Sequence, residues 1–168
     1  MDTSLFANST QSKFWLFTES ALRERKKMSS CVPIVTEEEE ELVQFYLSQY
    51  LIEKASKVFD FRTVSTALMY LQRYLLCHGL RNLSVDELLG SCIFLASKTE
   101  EKHYPPTKIC SAFNITPDVL SKGELQLISA INFHLVVWTP YDSFKGYIIY
   151  LVCDYLYFLF AFIVPILI

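Results

Sequence analysis

Apolar side chains recur every three or four residues through the central part of the chain, which predicts a series of amphipathic helices. The first of them follows Thr36, which has Glu39 three residues later, the spacing of a capping box. The glutamates at 37–41 then fall in the first turns, where the helix dipole favours anions, so the acidic run predicts a helix start. The predicted apolar stripe of this helix consists of Val43, Tyr46, Leu47, Tyr50 and Leu51.

The next two apolar runs predict a second helix over 60–78 and a third helix that follows Ser84. Gly79 suits the position just after a helix end. The third helix is apolar on almost every face, so we expect it at the centre of a domain with the other helices around it. The predicted stripe of the second helix is Phe61, Val64, Leu68, Leu71 and Leu75.

Two shorter helices complete the series. Pro105 and Pro106 interrupt the chain and start a fourth helix near 106–113, and Thr116 caps a fifth over roughly 117–131. No segment alternates apolar and polar residues with the period of a strand. The predicted fold class is therefore all-α, with five helices around a buried third helix. The apolar positions of the fifth helix are Leu120, Leu125, Leu127, Ile128 and Ile131.

The chain consists of three segments, and the five predicted helices lie in the second of them. Residues 1–35 form an N-terminal segment with a short basic helix over 18–27, residues 36–146 hold the helical array, and residues 147–168 are an apolar tail. The only charge of the tail is Asp154, and the uncharged part after it has 14 residues. Because a membrane span needs about 20 apolar residues, the tail is marginal as a membrane span.

Composition narrows the function classes. Apolar residues make up 52% of the 168-residue chain and charged residues 20%, which excludes a disordered chain. The net charge of −3 argues against a generic nucleic-acid binder, which is more often basic. The five cysteines include no C-x-x-C pair, so no structural zinc and no other metal is predicted.

Motifs for catalysis are lacking in the sequence. It has no phosphate-binding glycine loop, no G-x-S-x-G nucleophile motif and no H-E-x-x-H zinc motif. Cys110 and His103 are close only in sequence, which is too little to predict a nucleophile and its base. We therefore predict no catalytic residue and no cofactor.

Two charged residues stand next to predicted core positions. Lys98 closes the third helix and Glu124 lies in the fifth among leucines. Charges beside a core are seldom unpaired, because desolvation is costly. In one interpretation Lys98 stabilises the helix end, where the dipole favours a cation. In the other, both side chains form a charged recognition pair for a partner helix.

The segment FLASKTEEKHYPP, residues 94–106, resembles the end of the third helix of the cyclin box. YLQRYLL at 70–76 is similar to a second-helix segment of that box and places Arg73 on its structural arginine. The resemblance implies that Lys98 and Glu124 contact the regulatory helix of a cyclin-dependent kinase. Phe94, Glu101 and Leu127 are further candidates for the same surface.

Two flanking segments, residues 9–27 and 131–151, resemble the cyclin H group of the family. Trp15 is expected to hold the N-terminal segment on the box, together with Phe14 and Phe17; the alternative is that these three residues contact the kinase. The resemblance implies a nuclear regulatory subunit that supplies no catalytic group and activates a cyclin-dependent kinase of the CDK-activating type. The further partners that it implies are a ring-finger assembly factor and factor IIH, with roles in the cell cycle and in RNA polymerase II transcription.

The tail departs from the family pattern, because cyclins have a second five-helix repeat. We interpret residues 147–168 as a truncated second repeat or an aberrant C-terminus. Two alternatives stay open at this point. One is a factor-IIB-like module that binds a promoter complex, which the net charge disfavours; the other is a truncated, non-activating or membrane-tethered cyclin fragment.

Overall fold

A computed structural model describes residues 3–29, 36–79 and 84–163, and every regular element in these ranges is an α-helix. The all-α prediction is confirmed. In chain order the helices are α1 (Thr3–Ala7), α2 (Thr10–Phe14), α3 (Glu19–Ser29), α4 (Glu37–Ala55), α5 (Phe61–His78), α6 (Val85–Thr99), α7 (Pro106–Phe113), α8 (Pro117–Ala130) and α9 (Pro140–Ile163).

The helix starts follow the capping residues of the sequence. Thr36 and Glu39 form both halves of the capping box at α4, and Ser84 accepts a hydrogen bond from the backbone N–H of Glu87 at α6. Thr116 caps α8 in the same manner. One N-cap was missed: Asp60 accepts hydrogen bonds from two backbone N–H groups at the start of α5.

Helix α6 lies at the centre of the box and packs on α5, α7 and α8. Its buried residues face every direction, as predicted for a helix without a polar face. They are Leu88, Leu89, Gly90, Ser91, Cys92, Ile93, Leu95, Ala96 and Ser97. The helical array of α4 to α8, with α6 buried at its centre, therefore has the predicted order of helices.

Four predicted stripe positions are wrong. Tyr46, Phe61 and Leu125 are each at least 60% exposed, and Tyr50 is 37% exposed. In α4 the buried side chains are Leu47, Leu51 and Ala55, and Tyr46 lies one residue, about 100°, away from that row. Phe61 and Leu125 likewise stand on helix faces that point away from α6, because each outer helix buries only one side.

The chain divides into two compact units, one up to Trp138 and one from Thr139 onward. In the second unit α9 runs across position 146, where the sequence placed the end of the array. Among the described residues, no helix is both long and apolar enough to cross a membrane. Residues 30–35, the later part of the predicted N-terminal segment, lie outside the described ranges.

Candidate partner-binding surface

Lys98 and Glu124 meet at the edge of the box. Lys98 lies in the last turn of α6, and its Nζ is 2.7 Å from both carboxylate oxygens of Glu124 in α8. The Lys98 side chain is 51% exposed and that of Glu124 12%. The predicted juxtaposition of these two charges is therefore present, and the lysine is the more accessible partner.

A close approach of two helices places Glu124 within reach of Lys98. Gly123, the residue before it, packs on Ser91 of α6, and a Cβ atom at Gly123 would collide with Ser91 Oγ. Ser91 Oγ is itself fixed by donating a hydrogen bond to the carbonyl oxygen of Glu87 at 2.7 Å. Only glycine lets α8 approach α6 this closely.

The aromatic ring of Phe94 contacts the ammonium group of Lys98. Phe94 precedes Lys98 by one helical turn, and Lys98 Nζ lies 4.1 Å from the centroid of its ring. The ammonium group is therefore held by a carboxylate on one side and an aromatic face on the other. These two contacts restrict the orientation of the ammonium group.

A groove of about 490 Å³ adjoins this pair, and Phe94, Lys98 and Glu101 line it. Glu101 has a φ of 56°, the left-handed conformation just after the helix end. The N–H of Lys102 donates to the Ser97 carbonyl at 2.7 Å, which completes a Schellman cap. A residue other than glycine is thus held in a strained conformation beside the groove, with its carboxylate exposed.

Leu127 is the one candidate that the structure removes from this surface. Its side chain is fully buried in the core, because it lies on the face of α8 that packs on α6 rather than on the exposed side. Its contribution is to fix α8, and thereby Glu124, against α6.

Two apolar residues, Leu125 within α8 and Phe133 just after it, are exposed, and their exposure was not predicted from the sequence. Leu125 is 68% and Phe133 70% exposed. Phe133 has a φ of 58°, next to Asn132 at 53°. Its N–H donates to the Ile128 carbonyl, which caps α8 and turns the ring outward. The sequence signal was the Asn132–Phe133 pair, since asparagine tolerates the left-handed conformation.

Arg73 and Trp15 meet at the segment that follows α8. The Arg73 guanidinium donates hydrogen bonds to the carbonyl oxygens of His134 and Val136. It lies 4.9 Å from the Trp15 ring, and Trp15 Nε1–H donates to His134 Nδ1 at 2.9 Å. Tyr70 adds a hydrogen bond from its hydroxyl to the Leu135 carbonyl at 2.7 Å. Three successive carbonyls are therefore fixed by α5.

The N-terminal segment is attached through this cluster. Phe14 stacks on His134 with ring centroids 4.9 Å apart, and the Gln11 side chain exchanges two hydrogen bonds with the backbone of Trp138. The ring of Phe17 instead faces Arg25 of α3 at 5.3 Å. Phe14 and Trp15 thus contact the box directly, and Phe17 packs within the N-terminal segment.

No cluster of potential metal ligands occurs among the described residues. Cys110 is buried in α7, and burial raises the pKa of its thiol, which opposes formation of a thiolate. His103 is exposed in the loop before α7.

The chain matches the family model "Cyclin, N-terminal domain" over residues 14–136. It is 24% identical over 160 residues to the putative cyclin-H of Dictyostelium discoideum, covering 86% of this chain and 56% of that protein. It is 31% identical over 156 residues to the RNA polymerase II holoenzyme cyclin-like subunit of Aspergillus clavatus, covering 82% of this chain and 50% of that protein. The chain thus spans about half the length of these curated relatives.

A chain of the yeast TFIIK (Kin28/Ccl1/Tfb3) complex has a similar fold. The TM-score is 0.71 at 24% identity, covering 84% of this chain and 62% of that one. At this identity the likeness concerns the fold. Together with the family match over 14–136, it places the helical array and the Trp15 segment in one known architecture. The chain belongs to the cyclin family, and its first compact unit contains the cyclin N-terminal domain.

Proposed function

We propose that this chain is a regulatory cyclin subunit that binds and activates a cyclin-dependent kinase of the CDK-activating type. The observation that carries the proposal is the paired Lys98 and Glu124, which present an accessible cation and a carboxylate at one edge of the box. Similarity to a putative cyclin-H and to a chain of the yeast TFIIK complex supports the choice of kinase.

The proposed mechanism needs no catalytic group from the cyclin. The kinase's regulatory helix docks at the Lys98–Glu124 edge, with apolar contacts from Phe94 and charge contacts from Glu101. A cyclin that binds only the active position of that helix shifts the kinase population toward it. In the active position the helix supplies the glutamate of the Lys–Glu ion pair of the kinase.

Further partners follow from the relatives. The TFIIK complex that holds the similar fold contains three different proteins, Kin28, Ccl1 and Tfb3. We extend the proposal to a ring-finger assembly factor, to factor IIH and to a nuclear location. Within the chain, we assign kinase binding to residues 36–146 and stabilisation of the box to the described part of residues 1–35.

A variant in which the charges of Lys98 and Glu124 are exchanged tests whether this pair recognises a kinase or only stabilises the box. The variant Lys98→Glu/Glu124→Lys keeps an internal ion pair but reverses its direction, so the box should fold normally. We expect it to lose capture of the CDK-activating kinase catalytic subunit and stimulation of its activity, by at least about tenfold. The matched control is Lys26→Glu/Glu41→Lys, which reverses a 2.7 Å ion pair between α3 and α4.

The outcomes discriminate between the functions considered. Equal kinase activation by the swapped and unchanged chains contradicts the proposal. Binding without activation identifies a non-activating cyclin fragment. No kinase binding by any variant, together with a salt-dependent shift of promoter DNA, favours a factor-IIB-like module, since phosphate contacts release counterions.

A further inference from the structure

A cavity of about 280 Å³ lies between the N-terminal segment and the box, away from the Lys98 edge. Residues of α3, α4 and α5 contribute to its wall, and it has an apolar part and a polar part. The apolar part includes Trp15, Phe17 and Met69, and the polar part includes Lys26, Gln44 and Arg73. Among the described residues that line it, two are cations and none is a carboxylate.

Among the described residues, no carboxylate forms an ion pair with Arg73. The side chain is 3% exposed, and its terminal nitrogens bond to the peptide carbonyls of His134 and Val136. Its Nε is buried without a hydrogen-bond partner in the described part of the chain. Buried charges are normally paired, because an uncompensated ion is costly to desolvate. Burial correspondingly lowers the pKa of the Arg73 guanidinium.

The other polar groups of the cavity wall do not compensate the charge of Arg73. Lys26 is matched by Glu41 at 2.7 Å, so its charge is already compensated. Gln72 donates to Ser48 and Gln11 is bonded to Trp138, which leaves the Gln44 amide able to donate to a guest. The polar side of the cavity therefore offers an excess of positive charge and of donors.

We propose that this cavity binds a small carboxylate with an apolar body. The carboxylate end lies on the side of Arg73 and Gln44, where it compensates the buried charge. The apolar body packs on Trp15 and Phe17, whose rings provide a large contact area. The mixture of a few polar groups with a mainly apolar wall is typical of small-molecule sites.

The carboxylate could belong to a free acid or to an acidic side chain of a peptide. Both sources share the chemistry of an anion beside an aromatic or aliphatic group. The site is independent of kinase binding, since none of its lining residues belongs to the Lys98–Glu124 surface. Failure of one proposal therefore leaves the other standing.

The test uses the full chain and two matched pairs of probes. Phenylacetate is compared with phenylacetamide, and acetyl-Phe-Asp-amide with acetyl-Phe-Asn-amide, while the indole N–H signal of Trp15 is followed by NMR. We expect saturable shifts with the two acids and none with the neutral amides. A tighter fit of the peptide acid identifies a peptide source, and a tighter fit of phenylacetate identifies a free acid.

Two single-residue variants on α4 test whether the positive charge of the cavity wall governs binding of the carboxylate. Neither variant should change the fold. Gln44→Glu places a carboxylate on the cavity wall and should weaken binding of phenylacetate by at least about tenfold while raising Tm. Gln49→Glu adds the same charge on an exposed face of the same helix and should change neither. Equal shifts with acid and amide, no shift with any probe, or identical behaviour of the two variants overturns the proposal.

Discussion

At the scale of single residues, the contact of Gly123 with Ser91 decides how closely two helices can pack. In Gly123→Ala the new Cβ meets Ser91 Oγ, and we expect a loss of about 1–3 kcal/mol in the free energy of unfolding. Urea denaturation measures this loss. Because α8 is displaced, the exchange protection of Lys98 and Glu124 backbone amides should also fall.

The second substitution Ser91→Ala tests that explanation. It removes the clashing oxygen, so the double variant should lose less stability than the sum of the single variants, by about 0.5–3 kcal/mol. Gly146→Ala in α9 is the control, since no atom apart from the adjacent residues and the local helix backbone lies within 4 Å of the place that the alanine methyl would take, and alanine favours a helix. Strict additivity at Gly123 and Ser91 contradicts the steric account.

The two tryptophans give a matched prediction about single hydrogen bonds. Trp15→Phe leaves His134 Nδ1 without its donor and should cost about 0.5–1.5 kcal/mol. Trp138→Phe removes an indole N–H that is buried without a partner in the described residues, and should cost less. Both free energies come from urea denaturation; a larger loss for Trp138→Phe is the contrary result.

At the scale of elements, the N-cap of α5 makes stability depend on pH. Burial of Asp60 by itself raises its pKa, but hydrogen bonds from Thr63 and Tyr104 outweigh it and hold the pKa below the ordinary 3.8. A depressed carboxyl pKa contributes stability that is present above the unfolded value and lost as pH falls through the folded value.

Asp60→Asn should therefore be less stable than the unchanged chain near neutral pH, and the difference in Tm should shrink as pH falls below about 4. Asparagine still caps a helix, so α5 itself is retained. Tyr104→Phe, which removes one donor to the carboxylate, should give a smaller effect of the same sign. A difference that does not vary with pH assigns the loss to geometry rather than charge.

Helix ends and the central helix could be predicted from sequence, and the reasons are local. Capping residues such as Thr36, prolines at first positions and the all-round apolar α6 each act within a few residues. The orientation of the outer helices could not be predicted, as Tyr46 and Leu125 show, because it depends on which side meets α6. The five-residue helices α1 and α2 carry too short a pattern for recognition.

In the candidate site, too, some residues could be predicted from the sequence and others could not. Lys98 and Glu124 were singled out by charge beside a core and by family position, and the structure brings them together. The burial of Leu127 and the exposure of Phe133 depend on packing and on a left-handed turn, which no sequence period reveals. Sequence therefore identified the polar part of the surface better than its apolar part.

At the scale of the whole molecule, stability should depend on α6 far more than on any outer surface. Leu89→Ala removes a fully buried side chain at the centre and should cost about 2–5 kcal/mol. Leu125→Ala removes the same atoms from a position that is 68% exposed and should cost less than about 0.5 kcal/mol. Unfolding in urea gives both values, and similar losses contradict the central placement of α6.

The mutual pairing of Lys98 and Glu124 also has a kinetic consequence. Two opposite charges 2.7 Å apart produce a field that decays faster with distance than that of a single ion. The pair itself therefore exerts little long-range attraction or repulsion on a partner, and its contribution to the association rate should vary little with ionic strength. Discrimination between partners occurs after collision, in the lifetime of the complex, where dissociation rates differ most.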